Sequence, residues 1–134
     1  MIGVLRSIIP VYDKVNKSIS LGQDDKYRQL GLNGQIRPGD LILDAGSGFG
    51  NMSSKALEIL SGNAKIILHD PIPEMLHHAQ NRANQRLKLT CGVFEYMPFR
   101  ESMIDDVLCG YSLRDDFSKI AAGFICSFQY RAWR

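Results

Sequence analysis

The sequence predicts an α/β fold built on an open parallel sheet, and three observations carry that expectation. Short apolar runs recur at residues 41–43, 65–68, 88–93 and 106–111, each too brief for a helix. Longer segments with apolar residues at helical spacing lie between the first three of them. A glycine-rich turn, Asp44-Ala45-Gly46-Ser47-Gly48-Phe49-Gly50-Asn51, leads from the first run straight into one of those segments.

The elements follow in order. Residues 2–19 place Val4, Leu5, Ile8, Tyr12, Val15 and Ile19 at helical spacing with a break at Pro10, which predicts a helical preface of two short pieces. Arg37-Pro38-Gly39-Asp40 reads as a turn, and Leu41-Ile42-Leu43 is apolar on both faces, as a strand buried in a parallel sheet must be. Asn51 is placed to cap the next helix, where Met52, Ala56, Ile59 and Leu60 share a face and Gly62 supplies the stop. After the second strand, Pro73 suits the first turn of a helix with the stripe Ile72, Leu76, Ala79 and Ala83. In the tail, Phe124, Cys126, Phe128 and Tyr130 alternate with Ile125, Ser127 and Gln129 at strand period, after a helical turn expected in residues 117–122.

Bulk properties exclude several function classes. With 134 residues, 45% hydrophobic and 22% charged, the chain reads as one globular domain, residues 1–134. A net charge of +2 without a cluster of Lys and Arg argues against a nucleic-acid partner. The apolar stretch from Ile2 to Ile9 is too short to span a membrane and lacks a cleavage site, so neither an integral membrane segment nor an export signal is expected. Three widely spaced cysteines, Cys91, Cys109 and Cys126, suit the reduced cytoplasm.

Two signals suggest a ligand. Glycines in the turn let the backbone approach a ligand closely, but Asn51 stands where the nicotinamide fingerprint G-x-G-x-x-G requires its third glycine, which disfavours a nicotinamide-dependent oxidoreductase. Asp70 closes the second strand 20 residues after Gly50, where a carboxylate can accept both ribose hydroxyls of an adenosine; its other reading is a turn residue before Pro71. Asp44 is a candidate contact and equally a candidate for orienting the loop by accepting backbone N–H groups. His69, Asp70, His77 and His78 suggest a metal group, but no metal site is expected, because His77 and His78, adjacent on a helix, point about 100° apart and cannot share an ion.

Three further motifs accompany the glycine loop: Tyr12-Asp13-Lys14-Val15-Asn16-Lys17-Ser18-Ile19-Ser20-Leu21-Gly22 with a later Tyr27-Arg28, Gly92-Val93-Phe94-Glu95-Tyr96-Met97-Pro98-Phe99, and Tyr111-Ser112-Leu113-Arg114-Asp115. In this order, from about Val11 to Asp115, the chain resembles the ubiquinone/menaquinone-biosynthesis C-methyltransferases, which are class I S-adenosylmethionine-dependent methyltransferases. The resemblance implies a Rossmann-like open parallel sheet, S-adenosylmethionine as cofactor, and methylation of a small aromatic or quinol acceptor, a prenylated quinol in that family.

Carried over by position, cofactor contacts fall on Gly46, Gly48, Phe49, Asp70, Val93, Phe94 and Gly110. Val93 stands where the family has an Asp or Asn facing the adenine amino group, and losing one neutral hydrogen bond costs about 0.5–1.5 kcal/mol. The reaction is a direct displacement that depends on alignment and needs no nucleophilic side chain. Tyr12, Asp13 and Arg114 are the candidates for deprotonating the acceptor or stabilising its phenolate.

The resembled family continues beyond Arg114 with a helix, a glycine-rich turn and further strands, whereas the last residues of this chain diverge. The expectation is therefore a domain of about four strands that lacks the C-terminal ones. Three readings follow: an active methyltransferase, a cofactor-binding fragment without activity, or a non-catalytic subunit. A fourth strand with an open edge also predicts self-association through that edge.

Overall fold

The computed structural model describes residues 9–11, 14, 18, 21–82, 87–93 and 96–110. After a 3-10 turn at Ile9–Val11, the elements are α1 (Asp24–Leu32), β1 (Leu41–Ala45), α2 (Asn51–Ile59), β2 (Lys65–Asp70), α3 (Pro73–Arg82), β3 (Leu87–Cys91) and β4 (Asp106–Leu108). Lys14 and Ser18 hold helical backbone, and the rest of the expected preface, like the alternating tail, lies outside the described residues.

All strands are parallel and stand in the order β3-β2-β1-β4. The crossovers through α2 and α3 run in the same direction along the sheet, so right-handedness puts both helices on one face. Alternation along the strands agrees. Ile42, Ile66 and Leu68 pack with Met52 and Ala56 of α2 and with Leu76 and Ala79 of α3. Leu43, Ala45 and Ile67, on the other face, pack against Met97, Phe99 and Ile104 of the connection that returns from β3 to β4 and against Val107 of β4. That return reverses the strand order between β1 and β4, which opens a crevice at the carboxyl ends of the strands, where ligands of such sheets bind.

Three expectations change. β3 ends at Cys91 rather than at Val93, because its pairing with β2 stops there, whereas β2 closes at Asp70 as expected. Asn51 is the first residue of α2, not its cap; the cap is Gly50, held left-handed at φ 70° with no side-chain hydrogen bond. Helix α1 has no counterpart in the sequence reading. Its packing onto α2 is tied by Lys55 Nζ, which meets Asp25 of α1 at 2.9 Å and Glu58 at 2.7 Å. The stop at Gly62 is as expected, with its N–H donating to Leu57 O at 2.7 Å and φ at +76°. Among the described residues no helix is long and apolar enough to cross a membrane.

Candidate functional site

The glycine loop after β1 takes its shape from three left-handed glycines, Gly46, Gly48 and Gly50, at φ 67°, 52° and 70°. The carbonyl of His69 on the neighbouring strand accepts the N–H groups of Gly46 at 2.7 Å and Ser47 at 3.2 Å, and Gly50 N–H donates to Ser47 O at 2.8 Å. Gly50 is also required by packing: a Cβ there would lie 3.2 Å from Ala79 Cβ and 3.4 Å from Leu68 Cδ1.

Two buried carboxylates finish the loop. Asp70, at the carboxyl end of β2, accepts Gly48 N–H on Oδ2 at 2.8 Å and Ile72 N–H on Oδ1 at 2.9 Å. Asp44, near the end of β1, accepts both the N–H and the hydroxyl of Ser53 on Oδ2, at 3.1 and 2.6 Å. Asp44 thus anchors the first turn of α2 to β1, while Asp70 anchors the loop to β2. Burial pushes Asp44 up to about 6, against the opposing pull of the two Ser53 hydrogen bonds. Burial also raises Asp70, opposed by the Ile72 and Gly48 N–H groups.

Among the described residues, Arg28 on α1 is the cation whose field reaches Asp44, favouring its ionised form. It is 7% exposed and ion-paired with Asp24 one turn earlier. The sequence marked Tyr27-Arg28 only as part of a motif; the fold brings that arginine toward the carboxyl end of β1.

The other candidates divide. Gly46, Gly48, Asp44 and Asp70 come together at the ends of β1 and β2. Phe49 belongs to the loop, but its ring is 4% exposed and packed with Ile72, Met75 and Ile9, with His78 edge-on at 4.8 Å. Only its main chain is available to a ligand. Val93 follows β3, with its side chain 40% exposed. Gly110 follows β4, where a Cβ would meet Met52 Cγ at 2.5 Å. Replacing Gly110 with Ala is therefore expected to cost about 1–3 kcal/mol in urea unfolding, as over-packed cores do, and the cost is expected to shrink when Met52 is also Ala. Tyr12, Asp13, Phe94 and Arg114 lie outside the described residues. Among the described residues no group of three or more His, Cys, Asp or Glu is placed to hold a metal ion.

Residues 42–123 match the methyltransferase domain family, a stretch that opens in β1 and takes in the glycine loop, Asp70 and β4. The chain belongs to that family. It is similar to the ubiquinone/menaquinone biosynthesis C-methyltransferase of Legionella pneumophila, 25% identical over 118 residues, which cover 84% of this chain and 47% of that protein. It is similar also to the chloroplastic 2-phytyl-1,4-beta-naphthoquinone methyltransferase of Arabidopsis thaliana, 27% identical over 123 residues, covering 86% of this chain and 47% of that protein. The chain spans about half the length of the curated relatives it matches. Its fold is shared with a SAM dependent methyltransferase from Aquifex aeolicus at a TM-score of 0.58 and 16% identity, over 74% of this chain and 53% of that one.

Two residues of this methyltransferase domain were not read from the sequence as parts of this site. Ser53 meets Asp44 only because α2 folds back beside β1, and a serine inside a helix carries no signal of that. His69 did leave one: it is a polar residue at the end of the apolar run Ile66-Ile67-Leu68, and in the fold it is 1% exposed. A polar side chain buried to that degree needs a reason.

Proposed function

We propose that this methyltransferase domain binds S-adenosylmethionine across the carboxyl ends of β1 and β2 and serves methyl transfer to a small aromatic or quinol acceptor. The observation that carries the reading is the buried Asp70 carboxylate bonded to Gly48 N–H, which joins the acidic strand end and the glycine loop into one site at the switch point.

The residues present fit that cofactor. Asp70 uses one acceptor position on each oxygen, and an ionised carboxylate offers about four, so capacity for two ribose hydroxyls remains. Ser47 Oγ is buried within the loop without a hydrogen-bond partner, an atom that a polar ligand would satisfy. When bound, S-adenosylmethionine supplies an electrophilic methyl group on a sulfonium sulfur. The chain's part is to hold it: the left-handed glycines keep side chains away, and Asp44 and Asp70 set negative charge beside a cationic ligand.

Support for a quinol acceptor comes from likeness to quinone methyltransferases at about a quarter identity. Within this reading Tyr12, Asp13 and Arg114 are the proposed acceptor-side groups, Phe94, Val93 and Gly110 further cofactor contacts, and the cytoplasm the compartment in which the exposed thiol of Cys91 stays reduced. Calorimetric titration tests the cofactor. S-adenosylmethionine and S-adenosylhomocysteine are expected to bind and NAD is not; binding of NAD alone would overturn the proposal.

The sheet supports a second part of the proposal. Among the described residues β4 pairs with β1 alone, beside buried Leu108 and half-buried Val107. A strand that stands last in its sheet is prone to pair with a strand of another chain, and on that ground we propose self-association through β4. Sedimentation is expected to give a dimer or larger species, and a well-behaved monomer at micromolar concentration would sink this part.

A further inference from the structure

His69 sits beneath the turn that follows β3 and bonds to it. Its Nε2 lies 3.3 Å from the carbonyl oxygen of Val93, and the same oxygen accepts Tyr96 N–H at 3.2 Å. A carbonyl cannot donate, so the imidazole proton must reside on Nε2 for this contact to be a hydrogen bond. Nδ1 is then a bare acceptor, and it is buried with no hydrogen-bond partner. The ring is fixed from two further sides. Phe99 stands edge-on at 6.1 Å, and a Cβ on residue 92 would fall 3.0 Å from His69 Cε1, so the ring and Gly92 require one another. Gly92 N–H in turn donates to the main-chain carbonyl of Asp70 at 3.2 Å, which ties this turn to the residue at the end of β2 that carries the carboxylate.

Strand order gives the arrangement a use. Across the carboxyl ends stand the glycine loop after β1, Asp70 on β2, and Gly92–Val93 after β3. A nucleoside whose hydroxyls meet Asp70 and whose tail follows the glycine loop has its base directed to the far side, over Gly92 and Val93. Resting on the binding reading above, we propose that His69 is a positioning residue for the base: its Nε2–H clamps the Val93 carbonyl downward and thereby presents the exposed Val93 side chain as an apolar floor for the adenine. Val93 has no polar side chain with which to grip the adenine, so the placement of its main chain is what the chain can control. Nothing in the packing of β2 calls for an imidazole at this position, where an apolar residue would fill the same space without leaving Nδ1 unsatisfied.

Two measurements test the clamp. Nitrogen-15 NMR of the ligand-free protein is expected to find His69 as the Nε2–H tautomer with a slowly exchanging proton; the Nδ1–H tautomer would overturn the proposal whatever the variants do. Calorimetry with S-adenosylhomocysteine then compares His69→Met, which fills the volume without a donor, with His69→Gln, whose side-chain amide restores one. His69→Met is expected to weaken binding roughly 2- to 10-fold, the range of one lost hydrogen bond, and His69→Gln to recover most of it. Binding by His69→Met equal to that of the parent protein, or a fall in His69→Gln as large as in His69→Met, would overturn the role. Failure of the parent protein to bind S-adenosylhomocysteine would instead sink the cofactor reading, while the tautomer would still decide whether the clamp exists.

Discussion

Replacing Asp70 with Ala is expected to weaken S-adenosylhomocysteine roughly 10–100-fold, because hydrogen bonds to a charged acceptor are worth about 1.5–3 kcal/mol. The same change also strands the N–H groups of Gly48 and Ile72, which the carboxylate now satisfies. Each buried donor left unpaired costs about 1–3 kcal/mol, so the variant is expected to lose stability as well as affinity. A double cycle separates the two effects. With the parent protein, removing both ribose hydroxyls from the ligand is expected to cost most of that factor; with Asp70→Ala, the hydroxyl-free and intact ligands are expected to bind alike. Equal discrimination in both proteins would place the hydroxyls elsewhere. Because burial raises Asp70, affinity is also expected to decline with falling pH at a higher pH than an ordinary aspartate would give.

The second large effect is a stability that falls as pH rises. Asp44 ionises near 6 in the folded chain and near 3.8 in the unfolded one, so between those values the folded state holds a proton that the unfolded state has released. Stability is therefore lost across that window and is level above it, by about 3 kcal/mol at 1.36 kcal/mol for each pH unit of difference. Asp70, raised for the same reason, adds in the same direction. Asp44→Asn keeps an oxygen to accept from Ser53 and carries no charge. Urea unfolding is expected to find this variant more stable than the parent at pH 7.5 by about 1–3 kcal/mol, with a flatter profile between pH 4 and pH 6.5. An unchanged slope would mean that the parent's acid groups are not desolvated as the fold implies. The sign bears on function. A charge that the domain holds at a cost in stability suits a site that receives a cation, and proteins retain such costs at sites where they serve binding.

Much of this protein was legible in its sequence because the signals were local. Each strand declared itself by an apolar run, α2 and α3 by a one-sided stripe, and the loop by glycines that nothing but a left-handed turn requires. The spacing from Gly50 to Asp70 is likewise a property of one β-α-β unit, so the acidic strand end could be read beside the loop before any coordinates. Helix α1 was not legible, because its pattern is inverted: Arg28 is buried while Leu30 is 62% exposed, and only packing against α2 makes that arrangement favourable. The capping position was missed for a related reason. Asn51 has the chemistry of a cap, but crowding by Ala79 and Leu68 leaves room only for glycine at the residue before it, and the helix begins one position earlier than composition suggests, with Gly50 as its cap.

What only the tertiary structure decided is the pairing of polar groups far apart in the chain. Ser53 on Asp44, Gly48 on Asp70 and His69 on Val93 each join residues of different elements, separated by 9, 22 and 24 positions. No periodicity encodes such pairs. They form because apolar faces bring strands and helices together first, and polar atoms caught in the interior must then find partners there, at a cost of about 1–3 kcal/mol for each one that does not. The sequence determined where the elements lie and which of their residues are chemically able to meet a ligand; the packing of β1, β2 and β3 decided which of those residues meet one another.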